Sequence, residues 1–220
     1  MPPLKSNQKI TKKVSITKNE AVKKSYQKEY NTLRKQYLDV DTIKQSLICE
    51  PFGIDKLLLV GIEFRAYNAD GQSKPMFIAV NCNGDAILFF ERYNPKALAI
   101  FKSENNKKIK IIIPHLFDNV SNLIENMHLS NSILPLPDHN FINFFAISYN
   151  GKFYKYLTQK EVELDEHPYY PFYFHLKQIM LLIQQEMREK QQKQQKLQSK
   201  QVKKLQRIQK ELQKKLQRLH

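Results

Sequence analysis

The amino-acid sequence predicts an α+β fold in which a small, mostly antiparallel sheet packs against one or two helices. Asn83-Gly84 and Asn150-Gly151 each stand between apolar, β-prone runs. Such a pair supplies the positive φ angles of a tight hairpin turn. An amphipathic helical pattern precedes these runs, and a long basic helical pattern follows them. Strands grouped in the middle of a chain, with helices on either side, favour a layered α+β arrangement.

The N-terminal quarter divides into two parts. Residues 1–16 are charged and show little periodicity, so we expect a flexible basic arm. Residues 17–53 form a predicted helical region, opened by a capping box over 17–20 and continued by a short second helix over 41–47. Apolar residues recur at helical spacing along it, which indicates a packing stripe in preference to a base-stacking surface: Val22, Tyr26, Tyr30, Leu33 and Tyr37.

The predicted α+β body spans residues 54–168. Three strands are expected to form a meander, and a later hairpin turns at Asn150-Gly151. Between them we expect a short helix, a short buried strand and an amphipathic helix. The meander strands are expected over 57–67, 75–80 and 86–93. The short helix is expected over 95–101, the short buried strand over 109–113 and the amphipathic helix over 116–129. The hairpin strands are expected over 141–149 and 152–157. Residues 158–168 form an acidic connector, which we expect to be solvated in preference to covering the basic helix.

A long basic helix is predicted over 169–220. Its first turns are rich in aromatic and aliphatic residues and should pack on the sheet. A spacer rich in Gln and Lys follows. We expect it to remain helical because almost every residue in it is a good helix former. Its end has heptad character, weakened by Lys215 where an apolar residue is missing, so we expect a weak coiled-coil tip.

Charge is concentrated at the two ends of the chain. The net charge is +15, of which residues 1–36 hold +8, residues 181–220 hold +9 and residues 37–180 hold −2. A near-neutral body with two basic extensions predicts an acidic partner. Nucleic acid is the commonest such partner, because each neutralised phosphate releases a counterion.

Motifs for catalysis are absent from the sequence. There is no glycine-rich phosphate loop, and neither the two cysteines, Cys49 and Cys82, nor the six histidines have the spacing of a zinc site. A metal-nuclease site could be imagined from Asp138-His139 with Asp55, Glu63 and Glu91. The usual pattern of such a site, a strand-borne acid followed by Glu-x-Lys, is missing from the sequence. We therefore expect a non-enzymatic protein without cofactor or metal.

The leading hypothesis is a nucleic-acid-associated accessory or scaffold protein, whose basic ends bind phosphate while the body contacts a protein. The aromatic residues Phe145, Tyr149, Tyr154 and Tyr156 could stack bases on an open sheet face, or could equally be core. The predicted phosphate-binding residues lie in both extensions: Lys12, Lys13, Lys23, Lys24, Lys193, Lys196, Lys200, Lys203, Lys204, Arg207, Lys210, Lys214, Lys215 and Arg218.

Two alternatives remain open at this point. The first is a protein-interaction module, either adaptor or inhibitor, in which the C-terminal helix docks on an acidic partner helix or forms a homo-oligomer. Its predicted contact residues are Leu205, Ile208, Leu212, Leu216 and Leu219. The second is an enzyme with an unrecognised site. Without a secretory signal pattern or a long apolar run, we expect a soluble cytoplasmic protein with no integral membrane association.

Overall fold

A computed structural model describes most of the chain, and its described residues are 27–39, 41, 43, 50–67, 71, 73–91, 98–130, 132 and 135–217. Only the backbone is described at 91, 207 and 210–217. The predicted flexible arm over 1–16 and the capping box over 17–20 lie outside these ranges.

The body is built on one antiparallel sheet of seven strands, in the order β4-β3-β2-β1-β6-β7-β5. The α+β class is confirmed, although the sheet is larger than the small one expected. Its strands are β1 (Leu57–Tyr67), β2 (Ser73–Asn81), β3 (Ala86–Glu91), β4 (Leu98–Ser103), β5 (His128–Ser130), β6 (Phe141–Ser148) and β7 (Gly151–Thr158).

Both Asn-Gly pairs lie where the hairpins turn. Gly84, with φ 85°, lies between β2 and β3, and Gly151, with φ 143°, opens β7 after β6. At the first turn the Asn81 side chain also accepts a 2.9 Å hydrogen bond from the Asp85 amide. The meander β1-β2-β3 and the hairpin β6-β7 are therefore confirmed, but the positive φ expected at Asn83 and Asn150 is not found.

Helices lie on both sides of the sheet. Residues 27–37 are helical and are named α1, and Asp41 and Ile43 are also helical. Three further helices follow: α2 (Lys107–Ser121), α3 (Gln159–Val162) and α4 (Tyr170–Gln217), with a short 3-10 helix at Ile124–Asn126 between α2 and β5.

Three predictions about local structure are wrong. Residues 109–113, expected as a strand, lie in α2, and 98–101, expected in a helix, belong to β4. The helix expected over 116–129 ends at Ser121, and residues 128 and 129 belong to β5. The Asn106 side chain caps α2 by accepting hydrogen bonds from the Lys108 and Ile109 amides, at 3.0 and 3.4 Å. This cap, and burial of one helical face, outweigh the β propensity of three consecutive isoleucines.

The sheet is covered on both faces, which makes three layers. On one face α2 and the first turns of α4 pack on side chains from β1, β2, β3 and β6. On the other face α1 packs on the alternate side chains of the same sheet. A register shift between Leu57 and Leu59 lets Leu58 and Leu59 both contribute to the α1 side.

An aromatic cluster fills the layer beneath α1. The Phe77 ring stacks against Phe89 and Phe145 at centroid distances of 4.5 and 5.1 Å, and Tyr30 meets Phe89 edge-on at 5.0 Å. Gly61 makes room for this cluster. A Cβ atom there would stand 2.4 Å from Cζ of Phe145 and 2.2 Å from the carbonyl oxygen of Ile78.

Candidate nucleic-acid interface

The first turns of α4 are fixed to the body by an apolar face. This face consists of four buried residues at helical spacing, Phe172, Leu176, Ile179 and Ile183. Met187 is half-buried against the same core. The apolar run predicted to pack on the sheet, residues 169–183, ends at Ile183 in the sequence, and the packing extends one turn beyond it.

A polar contact marks the end of this packed segment. The Glu186 carboxylate accepts hydrogen bonds from the Ser103 hydroxyl at 2.6 Å and from the Asn106 side-chain amide at 3.3 Å, and Lys190 pairs with it at 2.8 Å. Partial burial opposes ionisation, but these three groups outweigh it and hold the pKa of Glu186 below its usual range. Glu186 thus joins α4 both to the end of β4 and to the cap of α2.

Beyond this point α4 leaves the body and enters solvent. Every described side chain from Arg188 to Gln206, and those of Ile208 and Gln209, is exposed. The backbone stays helical to Gln217. At about 1.5 Å per residue, residues 188–217 extend about 45 Å. We call this segment the projecting arm.

Basic residues form a line along the projecting arm. Lys193, Lys196, Lys200 and Lys203 follow one another at spacings of three and four residues, so they fall within about 80° of the helix circumference. We call these four the lysine stripe. Lys204 lies at its margin, and basic residues recur in the same phase at positions 207, 210 and 214, where only the backbone is described.

The opposite face of the arm has a different chemistry. This face lies about 150° around the helix from the lysine stripe. Its residues are spaced three or four apart: Gln191, Gln194, Gln198, Gln201, Leu205 and Ile208. Leu205 and Ile208 are 65% and 43% exposed. The projecting arm therefore presents a cationic face on one side and a glutamine-rich, weakly apolar face on the other.

The remaining predicted site residues are described in part or not at all. Lys12, Lys13, Lys23, Lys24, Arg218 and Leu219 lie outside the described residues. Arg207, Lys210, Leu212, Lys214, Lys215 and Leu216 lie on helical backbone whose side chains are not described. The structure therefore assembles four predicted phosphate-binding residues into one stripe, with Lys204 beside it.

Of the two alternatives for the four sheet aromatics, base stacking or core, two of them are core. Phe145 and Tyr154 are buried beneath α1, at 1% and 2% exposure, whereas Tyr149 and Tyr156 are 45% and 43% exposed. Tyr156 instead stacks on Phe141 at 4.7 Å and accepts a hydrogen bond from the Asp138 amide. Because α1 covers the sheet here, the inner pair is core.

A buried polar cluster joins α1 to the sheet. Glu63 accepts hydrogen bonds from the Tyr30 hydroxyl at 3.0 Å and from Nε of Arg34 at 2.9 Å, and Nη2 of Arg34 lies 2.6 Å from the same carboxylate. Burial raises the pKa of Glu63, against the opposing influence of Arg34. Asn143 and Tyr154 lie in the same layer, and Oδ1 of Asn143 and the Tyr154 hydroxyl make no hydrogen bond to the described residues.

This cluster is a buried polar link between α1 and the sheet. Glu63 and Arg34 are 1% and 6% exposed, so a substrate could not reach the carboxylate without displacing α1. The Glu63 carboxylate, one of the acids considered for a metal nuclease, is thus paired with Arg34. Among the described residues, no group of three or more His, Cys, Asp or Glu is placed to hold a metal ion.

Sequence reasoning missed this pair because its members are 29 residues apart and belong to different elements. One local signal exists. Glu63 interrupts an apolar strand, and a charged residue in such a place needs a buried partner. The sequence does not identify Arg34 as that partner.

A cleft opens elsewhere between α1 and the sheet, with a volume of about 270 Å³. Its lining combines apolar side chains such as Leu59 and Ile87 with the charged residues Asp85, Lys102 and Glu104. Ligand pockets usually occupy about 300–1,000 Å³. The cleft is therefore small for a substrate site, and we assign no function to it.

Comparison with known proteins gives no match: no family model fits the chain, and no curated protein or solved structure is significantly similar to it. Within the described residues, none of the helices combines the length and the apolar character needed to cross a bilayer.

Proposed function

We propose that this protein is a non-catalytic nucleic-acid-binding accessory protein whose projecting arm binds the phosphate backbone of a duplex. The lysine stripe is the observation that carries the proposal. Four solvent-exposed ammonium groups follow one face of a helix that stands clear of the body. Like charges at helical neighbours repel one another, and an array of phosphates would relieve that repulsion.

A duplex fits the arm better than a single strand does. Proteins that bind single strands without sequence preference stack bases on aromatic side chains. Residues 181–220 contain no Phe, Tyr or Trp. The arm can therefore supply charge and glutamine contacts to a regular line of phosphates, but no stacking surface.

The body takes a different part in this proposal. Residues 37–180 carry a net charge of −2, which gives little electrostatic attraction to nucleic acid. We infer that the body contacts a protein, while the arm holds the complex on the phosphate backbone.

The test is removal of the lysine stripe. The variant K193Q/K196Q/K200Q/K203Q keeps helix propensity and removes four charges from one face. Each phosphate contact contributes about 0.9 to the slope of log Kobs against log salt concentration. We expect the slope for a 25–30 base-pair duplex to fall by about 3 to 4, and affinity at about 0.1 M salt to fall more than about tenfold.

A matched control separates the stripe from net charge. K56Q/K107Q/K108Q/K160Q removes the same number of charges from exposed positions of the body. This control should bind the duplex almost as the unaltered protein does. Equal losses in the two variants, or no duplex binding by the full chain at low salt, would refute the proposal.

A second candidate function rests on the other face of the arm. Leu205 and Ile208 are exposed there and lie in phase with the residues that pack on the body. An interaction module would dock a partner helix on this face. Light scattering of L205Q/I208Q tests it: loss of an oligomer in this variant would support the interaction module, and it would favour that function over the first only if the unaltered chain did not bind the duplex.

A further inference from the structure

The projecting arm contains a single hydroxyl side chain of the serine or threonine type. Ser199 is the only serine or threonine after Thr158. It is exposed, and its hydroxyl donates a 2.9 Å hydrogen bond to the carbonyl oxygen of Lys196 within its own helix. Serine is a poorer helix former than the Gln, Lys and Leu around it, so its place in the middle of the arm is not explained by helix stability.

The neighbours of Ser199 belong to the lysine stripe. Lys196 precedes it by three residues, Lys203 follows it by four, and Lys200 is next in sequence. Residues three and four apart lie side by side on a helix, at about 5–6 Å between Cβ atoms. A group attached to Ser199 would therefore stand within reach of two of the four stripe lysines.

We propose that Ser199 is a phosphorylation site that switches off duplex binding by the lysine stripe. The proposal rests on the proposed function of the arm. A phosphoserine carries about −1.5 to −2 charge at pH 7 and accepts charge-assisted hydrogen bonds. Pairing with Lys196 and Lys203 would neutralise half of the stripe within the same helix, so those lysines would no longer be available to duplex phosphates.

The chemistry requires a nucleoside triphosphate and a kinase. The γ-phosphoryl group moves from ATP to Oγ of Ser199, a new Oγ–P bond forms, and the bond between the γ-phosphorus and the bridging oxygen breaks as ADP leaves. The hydroxyl proton is released to solvent. Lys196, three residues before the acceptor, is the feature that a basophilic serine/threonine kinase recognises.

Access to the hydroxyl is favoured by the lack of packing around it. Kinases bind the acceptor in an extended conformation, so one or two helical turns must open. The described side chains of the arm from Arg188 onward are exposed, and segments without tertiary contacts open at low free-energy cost.

The experiment treats the full chain with ATP and a basophilic serine/threonine kinase that reads a basic residue at the third position before the acceptor. Mass spectrometry locates the phosphate, and fluorescence anisotropy measures affinity for a 25–30 base-pair duplex across a salt series. We expect phosphate on Ser199, about tenfold or greater loss of affinity at about 0.1 M salt, and a salt slope reduced by about 2, because two of the phosphate contacts are lost.

The variant S199A is the matched control. Other serines that follow lysines, such as Ser15 and Ser25, would be modified equally in both proteins, so the difference between them isolates Ser199. The proposal is overturned if Ser199 stays unmodified, or if both treated proteins bind the duplex equally. Failure of the proposed function is distinct, because it shows without kinase treatment: the untreated chain would not bind the duplex, or K193Q/K196Q/K200Q/K203Q would lose no more affinity than its control.

Discussion

Arg34 and Glu63 illustrate the balance of forces at a buried charged residue. Removing both from water costs free energy, and their mutual attraction with the Tyr30 hydrogen bond offsets that cost. Arg34 also reaches the carbonyl oxygen of Pro135 at 3.5 Å. The pair therefore connects three elements, α1, β1 and the loop before β6, and its main effect is to fix how α1 sits on the sheet.

A double-mutant cycle tests this role. R34M or E63M alone leaves an unpaired buried charge and should lower the free energy of unfolding by about 3–5 kcal/mol. R34M/E63M removes both charges and should cost much less than the sum of the two changes. Urea unfolding of the four proteins at neutral pH measures the cycle, and additive losses would contradict strong coupling.

Three buried tyrosines predict a loss of stability in alkali. Burial raises the pKa of Tyr154 and Tyr169 to about 12, and raises that of Tyr30 in the same direction. In the unfolded chain these groups ionise near pH 10. Between pH 10 and 12 the folded state holds more protons than the unfolded state, so stability falls as pH rises.

Ultraviolet titration and urea unfolding check this dependence together. The absorbance of the buried Tyr154 and Tyr169 should change only near pH 12 or on unfolding. The variant Y154F should lose less stability between pH 9 and 11 than the unaltered chain. Equal losses in the two proteins would count against a raised pKa at Tyr154.

At the scale of elements, local signals predicted the hairpins well. The Asn-Gly pairs mark where the chain turns, but only Gly84 and Gly151 adopt positive φ, and Gly151 already pairs with Ser148 as the first residue of β7. The region around α2 was less predictable. Its sequence holds a β-branched run, Ile111 to Ile113, but also buried residues at helical spacing, Ile109, Ile113 and Leu116. Packing against α4 decides between the two patterns, and such a long-range contact is not present in the local sequence.

The candidate interface could be read from sequence only in part. Charge counting identified the basic C-terminal segment, but the alignment of Lys193, Lys196, Lys200 and Lys203 on one face was not among the predictions. The end of its packed base required the structure, since Glu186 meets Ser103 from a strand 83 residues earlier in the chain. A contact at that separation leaves no periodic signal in the sequence.

Two truncations test where α4 ceases to support the body. A chain ending at Lys190 keeps Ile183, Met187 and the Glu186 contacts, so its free energy of unfolding should match that of the full chain. A chain ending at Met180 loses the buried Ile183 side chain, and should be destabilised by at least about 2 kcal/mol. Urea unfolding followed by tyrosine fluorescence compares them, and equal stability of the two truncated chains would show that packing ends before Ile183.

For the whole molecule, the separation of charge is as informative as its amount. The near-neutral three-layer body and the basic arm share one helix, α4, so under the proposed function that helix would connect a protein partner of the body to the bound duplex. That geometry suits a protein that connects two partners, because a rigid helix loses less conformational entropy on binding than a flexible tail does.

The rigidity of the arm is itself testable. A straight arm of about 45 Å should make the maximum dimension of the full chain clearly longer than that of the chain ending at Lys190. Small-angle X-ray scattering measures both.

The variant L197P breaks the helix in its middle, where Leu197 is 59% exposed and contributes nothing to the core. It should shorten the particle and reduce helicity without lowering the stability of the body, whereas L197A should leave all three unchanged. A full chain no longer than its truncated form would mean that the arm folds back, and the lysine stripe would then not be free to meet a duplex.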